Sequence, residues 1–228
     1  MADKMSTYSP LSAKVTAVET MDPKEAKWLT LKKITYQDPA GKERTWESAE
    51  RQTRPKGTDV DGVGVIAVLN DPKSSKGPAL LLQKQFRPPL NKVTIEAPSG
   101  LIDEGEDPAT AAIRELKEET GYVATLPKDA SAAEGFLMWN DPGMCNTNTK
   151  MIFVEVDMSD PRNQEGNLKP ELEENEYIEC FTVPLDNLWN ELSELDRQGF
   201  AVDARVGTLA QGMEMAKKWK DALNKEPS

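Results

Sequence analysis

The chain has 228 residues, 38% of them hydrophobic and 29% charged, enough for a full core in one main domain with an appendage. Its formal charge of −11 argues against a nucleic-acid surface, which needs clustered Lys and Arg, and no stretch approaches the ~20 apolar residues of a membrane span. Histidine is absent, which excludes Ser-His-Asp hydrolysis, Cys-His catalysis and H-E-x-x-H zinc chemistry together, so acid–base and metal work fall to carboxylates.

Residues 1–12 are expected to fray; the start, MADKMSTYSP, lacks the apolar centre of a secretory signal, and a cytoplasmic protein is expected, with the nucleus left open. Residues 13–58 predict a small antiparallel unit. It comprises a strand from Ala13, another from Trp28 to Tyr36, the turn Gln37-Asp38-Pro39-Ala40-Gly41 and a return strand through Trp46. So small a unit has little core of its own and must lean on the main domain or on a second subunit.

The main domain, residues 59–224, shows short apolar or alternating runs that predict strands at Val63 to Leu69, Ala79 to Phe86, Val93 to Ala97, Lys150 to Val156 and Tyr177 to Val183. Between the third and fourth, Asp107 is a good N-cap, Pro108 suits the first helical position and Gly121 supplies a stop, so a helix should run from Pro108 to Thr120. Ala109, Ala112, Ile113 and Leu116 give it an apolar stripe. Leu185, Leu188, Leu192 and Leu195, and then Leu209, Met213 and Ala216, keep helical spacing; the last helix should end near Asn224, with 225–228 frayed. Strands and helices mix without βαβ repetition, the pattern of an α+β fold. Cys145 and Cys180 lack C-x-x-C spacing and predict free thiols.

Chemistry concentrates in the helix just described. Glu115 and Glu119 are one turn apart with Glu118 beside them, so three carboxylates share a face on which like charges repel. Arg114 reaches Glu118 at i+4 but cannot neutralise the whole cluster. Two readings fit: a solvated acidic face, which most charge runs are, or a site for a hard dication such as Mg²⁺, whose oxygen shell substrate phosphate completes. A second constellation lies in the amino-terminal unit, where Trp46 is followed by Glu47 and Arg51. A flat aromatic, an acceptor and a cation suit a purine, yet Trp28 and Trp46 equally suit a core.

Gly100, Glu106, Arg114, Glu115, Leu116, Glu118, Glu119, Gly121 and Tyr122 together resemble the Nudix box, G-x5-E-x7-R-E-U-x-E-E-x-G-U with U apolar or aromatic, and every position is filled. The resemblance implies an α/β/α sandwich around a mixed sheet and a hydrolase of diphosphates that link a nucleoside to another group. Glu115 and Glu119 are then metal ligands, Glu118 and Arg114 belong to the catalytic cluster, and Glu106 is structural. A non-catalytic sensor of the same fold would carry a damaged box.

TYQDPAGKERTWES, KQFRPP, EAPSGLIDEGE and VDARV resemble, over about residues 13 to 215, the ADP-ribose pyrophosphatase branch. That resemblance implies hydrolysis of ADP-ribose to AMP and ribose 5-phosphate with Mg²⁺ or Mn²⁺; other nucleoside diphosphate sugars and dinucleotides are the alternative substrates. It also implies a homodimer with exchanged amino-terminal domains. Trp28 and Trp46 from different subunits would clasp the adenine, with Glu47 and Arg51 beside it, Arg87 on the diphosphate, and Leu101 and Asp141 near the substrate. The carbonyl of Ser99, where relatives usually have alanine, would be a metal ligand. A late glutamate that orients or activates water matches Glu176, with Glu173 and Glu174 also open because the loop from Glu171 lacks the glycines of relatives.

Overall fold

The computed structural model describes residues 8–129 and 133–220. Two strands, β1 (Leu29–Gln37) and β2 (Glu43–Arg51), form a separate two-stranded hairpin, with an isolated bridge from Ala49 to Cys145. Its turn closes as the sequence dictates: Asp38 accepts from the Ala40 and Lys42 N–H groups, and Gly41 takes φ +79, a left-handed conformation that favours glycine. The strand expected from Ala13 does not form. Residues 13–22 take no regular secondary structure and are tied by the Val15 N–H to Asn91, and Pro23 to Glu25 make a single 3-10 turn. A proline at the start of that turn and its Asp22 cap favour the turn over strand pairing.

The remaining strands form one mixed sheet: β3 (Gly62–Asn70), β4 (Ala79–Arg87), β5 (Lys92–Glu96), β6 (Ser99–Leu101), β7 (Glu134–Trp139), β8 (Asn148–Asp157), β9 (Ile178–Pro184) and β10 (Ala201–Val202). The main order is β10-β5-β4-β3-β8-β7, with β6 on β3 and β9 on β4. β3 with β8 and β5 with β10 are parallel; the other pairs are antiparallel.

Alternation along the strands feeds two cores. Val63, Val65, Ala67 and Leu69 of β3 and Ile152, Val154 and Val156 of β8 face α1 (Pro108–Thr120). Leu80 and Leu82 of β4, with Ile95 and Val183, face α2 (Leu188–Arg197) and α3 (Ala204–Lys218). This is the expected α/β/α sandwich with a small antiparallel sheet beside it.

α1 begins and ends where its caps require. Asp107 accepts from the Ala109 and Thr110 N–H groups, and Gly121 sits at φ +77 with its N–H on the Lys117 carbonyl. A Cβ on Gly121 would lie 2.5 Å from the Lys169 nitrogen, so this helix end also needs glycine for the close passage of the 168–176 segment. The buried stripe is rotated from the expected one: Ala111, Ala112 and Leu116 are buried, and the stripe continues into Glu119 and Thr120. An acid therefore sits at the inner end of an apolar face.

At the carboxyl end Leu185 lies in a 3-10 turn, α2 buries Leu188 and Leu192, and α3 buries Val206 and Ala210 with Leu209 and Met213 packed at their edge. The expected end near Asn224, the frayed 225–228 and residues 1–7 lie outside the described residues. Of the amino-terminal stretch expected to fray, residues 8–12 hold a 3-10 turn with Pro10 buried, and the Ser9 hydroxyl bonds Glu179.

Candidate active site

α1, β6 and the end of β4 meet in one place. Register puts Gly64 of β3 opposite Ser99 of β6 and Val63 opposite Gly100, which carries the Ser99-Gly100-Leu101 backbone across α1. Gly100 is needed there, because a Cβ on it would lie 1.9 Å from the Glu115 carboxyl carbon. The carboxylate of Glu115 occupies the space that any side chain at position 100 would fill.

Arg114 organises the outer acids. Its Nε and Nη2 donate to the two Glu106 oxygens at 3.0 and 2.9 Å, its Nη1 to Glu115 at 2.9 Å and Glu118 at 3.1 Å, and its Nη2 also to the Leu101 carbonyl at 3.0 Å. Glu106 in turn accepts from the Asp103 N–H, and Arg114 holds its pKa below the usual carboxylate range. Glu106 thus braces the arginine, as a structural acid would. Burial raises the Glu115 pKa, against the opposing pull of Arg114.

Glu119 has a different environment. It is 5% exposed, accepts from the Ser99 N–H at 2.9 Å and from the Gln83 amide at 3.4 Å, and burial pushes its pKa up to about 8. Glu115 and Glu176 add repulsion in the same direction. The Gln83 side-chain amide oxygen beside it is buried without a hydrogen-bond partner. A buried carboxyl short of positive charge next to an orphaned acceptor lacks a cation or a donor.

These oxygens fit a hard dication: Glu119, Glu115 and the Ser99 carbonyl lie around one short backbone segment, and an oxygen donor set is what Mg²⁺ takes. Among the described residues no three acidic, histidine or cysteine side chains already converge as a cage. The set relies on a main-chain oxygen, and Glu115 is turned toward Arg114.

The 168–176 segment runs past the end of α1, with the Glu171 N–H on the Glu118 carbonyl at 2.7 Å. Glu176 is half-buried, and its charge acts on both Glu115 and Glu119. A local turn fixes it: the Glu176 N–H donates to the Glu173 carbonyl, and the Glu173 N–H to the Glu176 carboxylate, each at 3.0 Å. Glu173 and Glu174 are exposed.

On the other side of β6 opens a cavity of about 620 Å³ lined by Arg51, Arg87, Arg205, Ser99, Leu101 and Asn148, among others, a size typical of small-ligand sites. Its lining carries three guanidinium groups and three carboxylates, Asp61, Glu96 and Asp203; Glu96 holds Arg87 and Asp203 holds Arg205, and the guanidinium N–H groups left over can receive an anion. Arg87 is held side-on by Glu96, Nε to Oε1 at 2.7 Å, with Thr94 also bonded to Glu96; that carboxylate keeps it firmly protonated. The Arg51 Nε is buried without a partner. Nearby, Asp61 receives Arg54 at 2.7 and 2.9 Å and the Asn148 N–H at 2.9 Å. Burial opposes its ionisation, but these donors outweigh it and keep the pKa low.

Apart from Arg51 at its end, the hairpin residues singled out from sequence do not line the cavity. Trp28 is 67% and Trp46 51% exposed; the Trp46 indole donates to the Gly143 carbonyl at 3.0 Å, and the Ala49 N–H to Met144 at 2.9 Å. β2 therefore docks on the loop that begins at Asp141, whose carbonyl accepts from Met144 and Cys145. Trp46 lies opposite Ile34, six positions along the strand from Trp28, or about 20 Å. Two rings clasp a third across about 7–8 Å, two van der Waals contacts, so one chain's tryptophans cannot share a ring. Strand alternation also puts Glu47 and Arg51 on the face opposite Trp46.

Of the residues expected from sequence, Arg51, Arg87, Ser99 and Leu101 line one cavity, and Arg114, Glu115, Glu118, Glu119 and Glu176 gather behind it; Trp28, Trp46, Glu47 and Asp141 do not line it. Sequence reasoning missed Gln83, Glu96, Asp203 and Arg205. The last two belong to the VDARV stretch, whose residues carried no assigned role.

Residues 60–202 match the NUDIX domain family. The chain is similar to an ADP-ribose pyrophosphatase of Saccharomyces cerevisiae, 51% identical over 86% of this chain and 80% of the relative. It is 45% identical to an uncharacterized Nudix hydrolase of Schizosaccharomyces pombe over 90% of this chain and 95% of the relative. An ADP-sugar pyrophosphatase of Mus musculus is 38% identical over 87% of this chain and 86% of its own length.

Proposed function

The chain belongs to the Nudix family of hydrolases, and from that premise we propose that it cleaves the diphosphate of ADP-ribose, with a bound divalent cation, to give AMP and ribose 5-phosphate. The observation that carries this reading is the junction at Ser99–Leu101: an anion-seeking cavity with three arginines on one side and cation-seeking carboxylates on the other. A phosphoanhydride satisfies both. The yeast relative's name supports ADP-ribose as the substrate, and the mouse relative's name supports a breadth that extends to other ADP-sugars.

In this reading Glu115, Glu119 and the Ser99 carbonyl hold the cation, Mg²⁺ or Mn²⁺. When bound, it screens phosphate charge and lowers the pKa of water. Arg87, held side-on by Glu96, fixes the diphosphate as a planar donor. Glu176, fixed by its bond from the Glu173 N–H, orients water and accepts its proton. Arg114 with Glu118 keeps the outer acids in register.

The assembly proposed is a homodimer with exchanged hairpins. Leu29, Leu31, Ile34, Tyr36 and Trp46 leave both faces of a two-stranded ribbon apolar and exposed, which a lone hairpin cannot sustain. Trp28 and Trp46 are too far apart in one chain to clasp adenine, whereas tryptophans from two chains are free of that limit. Product analysis tests the activity: equimolar AMP and ribose 5-phosphate from ADP-ribose are expected in Mg²⁺, and an intact substrate, or cleavage at another bond, would overturn it.

A further inference from the structure

We propose that Arg205, held in place by Asp203, is a second diphosphate-binding arginine that works beside Arg87 and grips the phosphate on the sugar side of the substrate. This rests on the functional reading above and goes beyond it in assigning a role to the VDARV stretch.

Placement comes from a strand of two residues. β10 pairs in parallel with β5, Ala201 with Thr94 and Val202 with Ile95, and the Asp203 N–H continues the ladder to the Ile95 carbonyl at 3.0 Å. Asp203 and Arg205 thereby arrive next to Glu96, the carboxylate that holds Arg87. Arg87, Glu96, Asp203 and Arg205 act on one another electrostatically, and all four line the cavity.

A local role alone would leave this geometry unexplained. Asp203 is the N-cap of α3, and its carboxylate accepts from the Arg205 N–H at 2.9 Å; a cap needs no more. Yet the same carboxylate also takes Nε and Nη2 of Arg205 at 2.8 and 3.0 Å, as Glu96 takes Nε and Nη2 of Arg87. In both arginines the carboxylate occupies one edge of the fork and leaves Nη1, which donates to none of the described residues, for something else. The Arg205 Nη1 lies 3.8 Å from where a Cβ on Gly64 would be, and Gly64 is the register partner of Ser99. The second arginine thus reaches β3 on its α3 face, at the position paired with Ser99, and lines the same cavity as Ser99.

The side of the diphosphate follows from which elements carry each group. Arg51 ends the hairpin, where adenine is held in the functional reading, whereas Arg205 begins α3 at the β10 edge of the sheet and is coupled to Arg87. A substrate anchored by its base at the hairpin presents the phosphate distal to adenosine to this edge.

The experiment compares competitive inhibition by AMP, ADP and ribose 5-phosphate in the full-length wild type, Arg205→Ala and Asp203→Asn, with folding checked by circular dichroism. Asparagine caps helices about as well as aspartate, so Asp203→Asn keeps α3 while loosening its hold on the arginine. Loss of one charge-assisted contact should weaken ADP and ribose 5-phosphate about tenfold or more in Arg205→Ala, less in Asp203→Asn, and leave AMP within about twofold. A folded Arg205→Ala with all three inhibitors unchanged, or with AMP weakened as much as the others, would overturn the assignment. Failure of the wild type to release AMP from ADP-ribose would instead sink the functional reading itself.

Discussion

Replacing Glu119 with glutamine should stabilise the metal-free protein at alkaline pH while disabling it. Glu119 is buried among α1, β4 and β6, and burial moves its pKa from an ordinary 4.5 to about 8. Ionising such a group costs on the order of 5 kcal/mol relative to the same group in the unfolded chain. The sign follows from proton counts: between pH 4.5 and about 8 the folded protein keeps a proton that the unfolded chain has released, so stability present below pH 4.5 is lost as pH rises through that window. Glutamine removes the charge and still accepts from the Ser99 N–H with its amide oxygen, and once the Gln83 amide turns over, the new NH2 donates to the Gln83 side-chain oxygen that is orphaned in the wild type. Urea unfolding in chelator at pH 5.5, 7 and 9 should show Glu119→Gln within about 1 kcal/mol of wild type at the lowest pH and more stable by on the order of 2–4 kcal/mol at the highest. Added Mg²⁺ should stabilise only the wild type. Parallel stability curves for the two proteins across this range would refute the account of Glu119 as a buried, cation-starved acid.

The tryptophans give a test of exchange between subunits. Trp28→Ala and Trp46→Ala homodimers should each show a raised KM for ADP-ribose, whereas a mixture formed by joint refolding should regain wild-type affinity in roughly a quarter of its sites, because half the dimers carry one site with both tryptophans intact; no recovery would mean that both rings come from one chain. Glu176→Gln should lower kcat by about 10²-fold with little change in KM, while Glu173→Gln and Glu174→Gln should stay within about threefold of wild type. An equal fall in all three would make the loop's net charge, not one carboxylate, the active feature.

Local signals wrote the main elements plainly. Asp107, Pro108 and Gly121 bound α1 where capping chemistry puts its ends, and the alternating runs at Val63 to Leu69 and Ala79 to Phe86 lie inside β3 and β4. What escaped was fixed by distant partners. β6 has three residues and β10 two, too short for any periodic signal, and each exists because β3 or β5 offers it a ladder. β7 is broken by a register shift between Glu134 and Leu137, and its Phe136 faces outward.

The same division holds at the site. Glu115, Glu118 and Glu119 declare themselves by helical spacing, but only tertiary packing separates a braced Glu115 from a buried Glu119 on the same helix. Gln83 carries no sequence mark at all; it reaches Glu119 because strand alternation puts it on the α1 side of β4, after Leu81. Asp203 and Arg205 are two residues apart, yet their relation to Arg87 and Glu96 depends on β10 meeting β5.

Calorimetric titration of Mg²⁺ into protein saturated with an α,β-methylene analogue of ADP-ribose tests the central claim most directly, since the analogue cannot turn over. Saturable Mg²⁺ binding is expected in the wild type, with loss of that binding in both Glu115→Gln and Glu119→Gln despite an intact fold. Undiminished Mg²⁺ affinity in the two folded variants would contradict it.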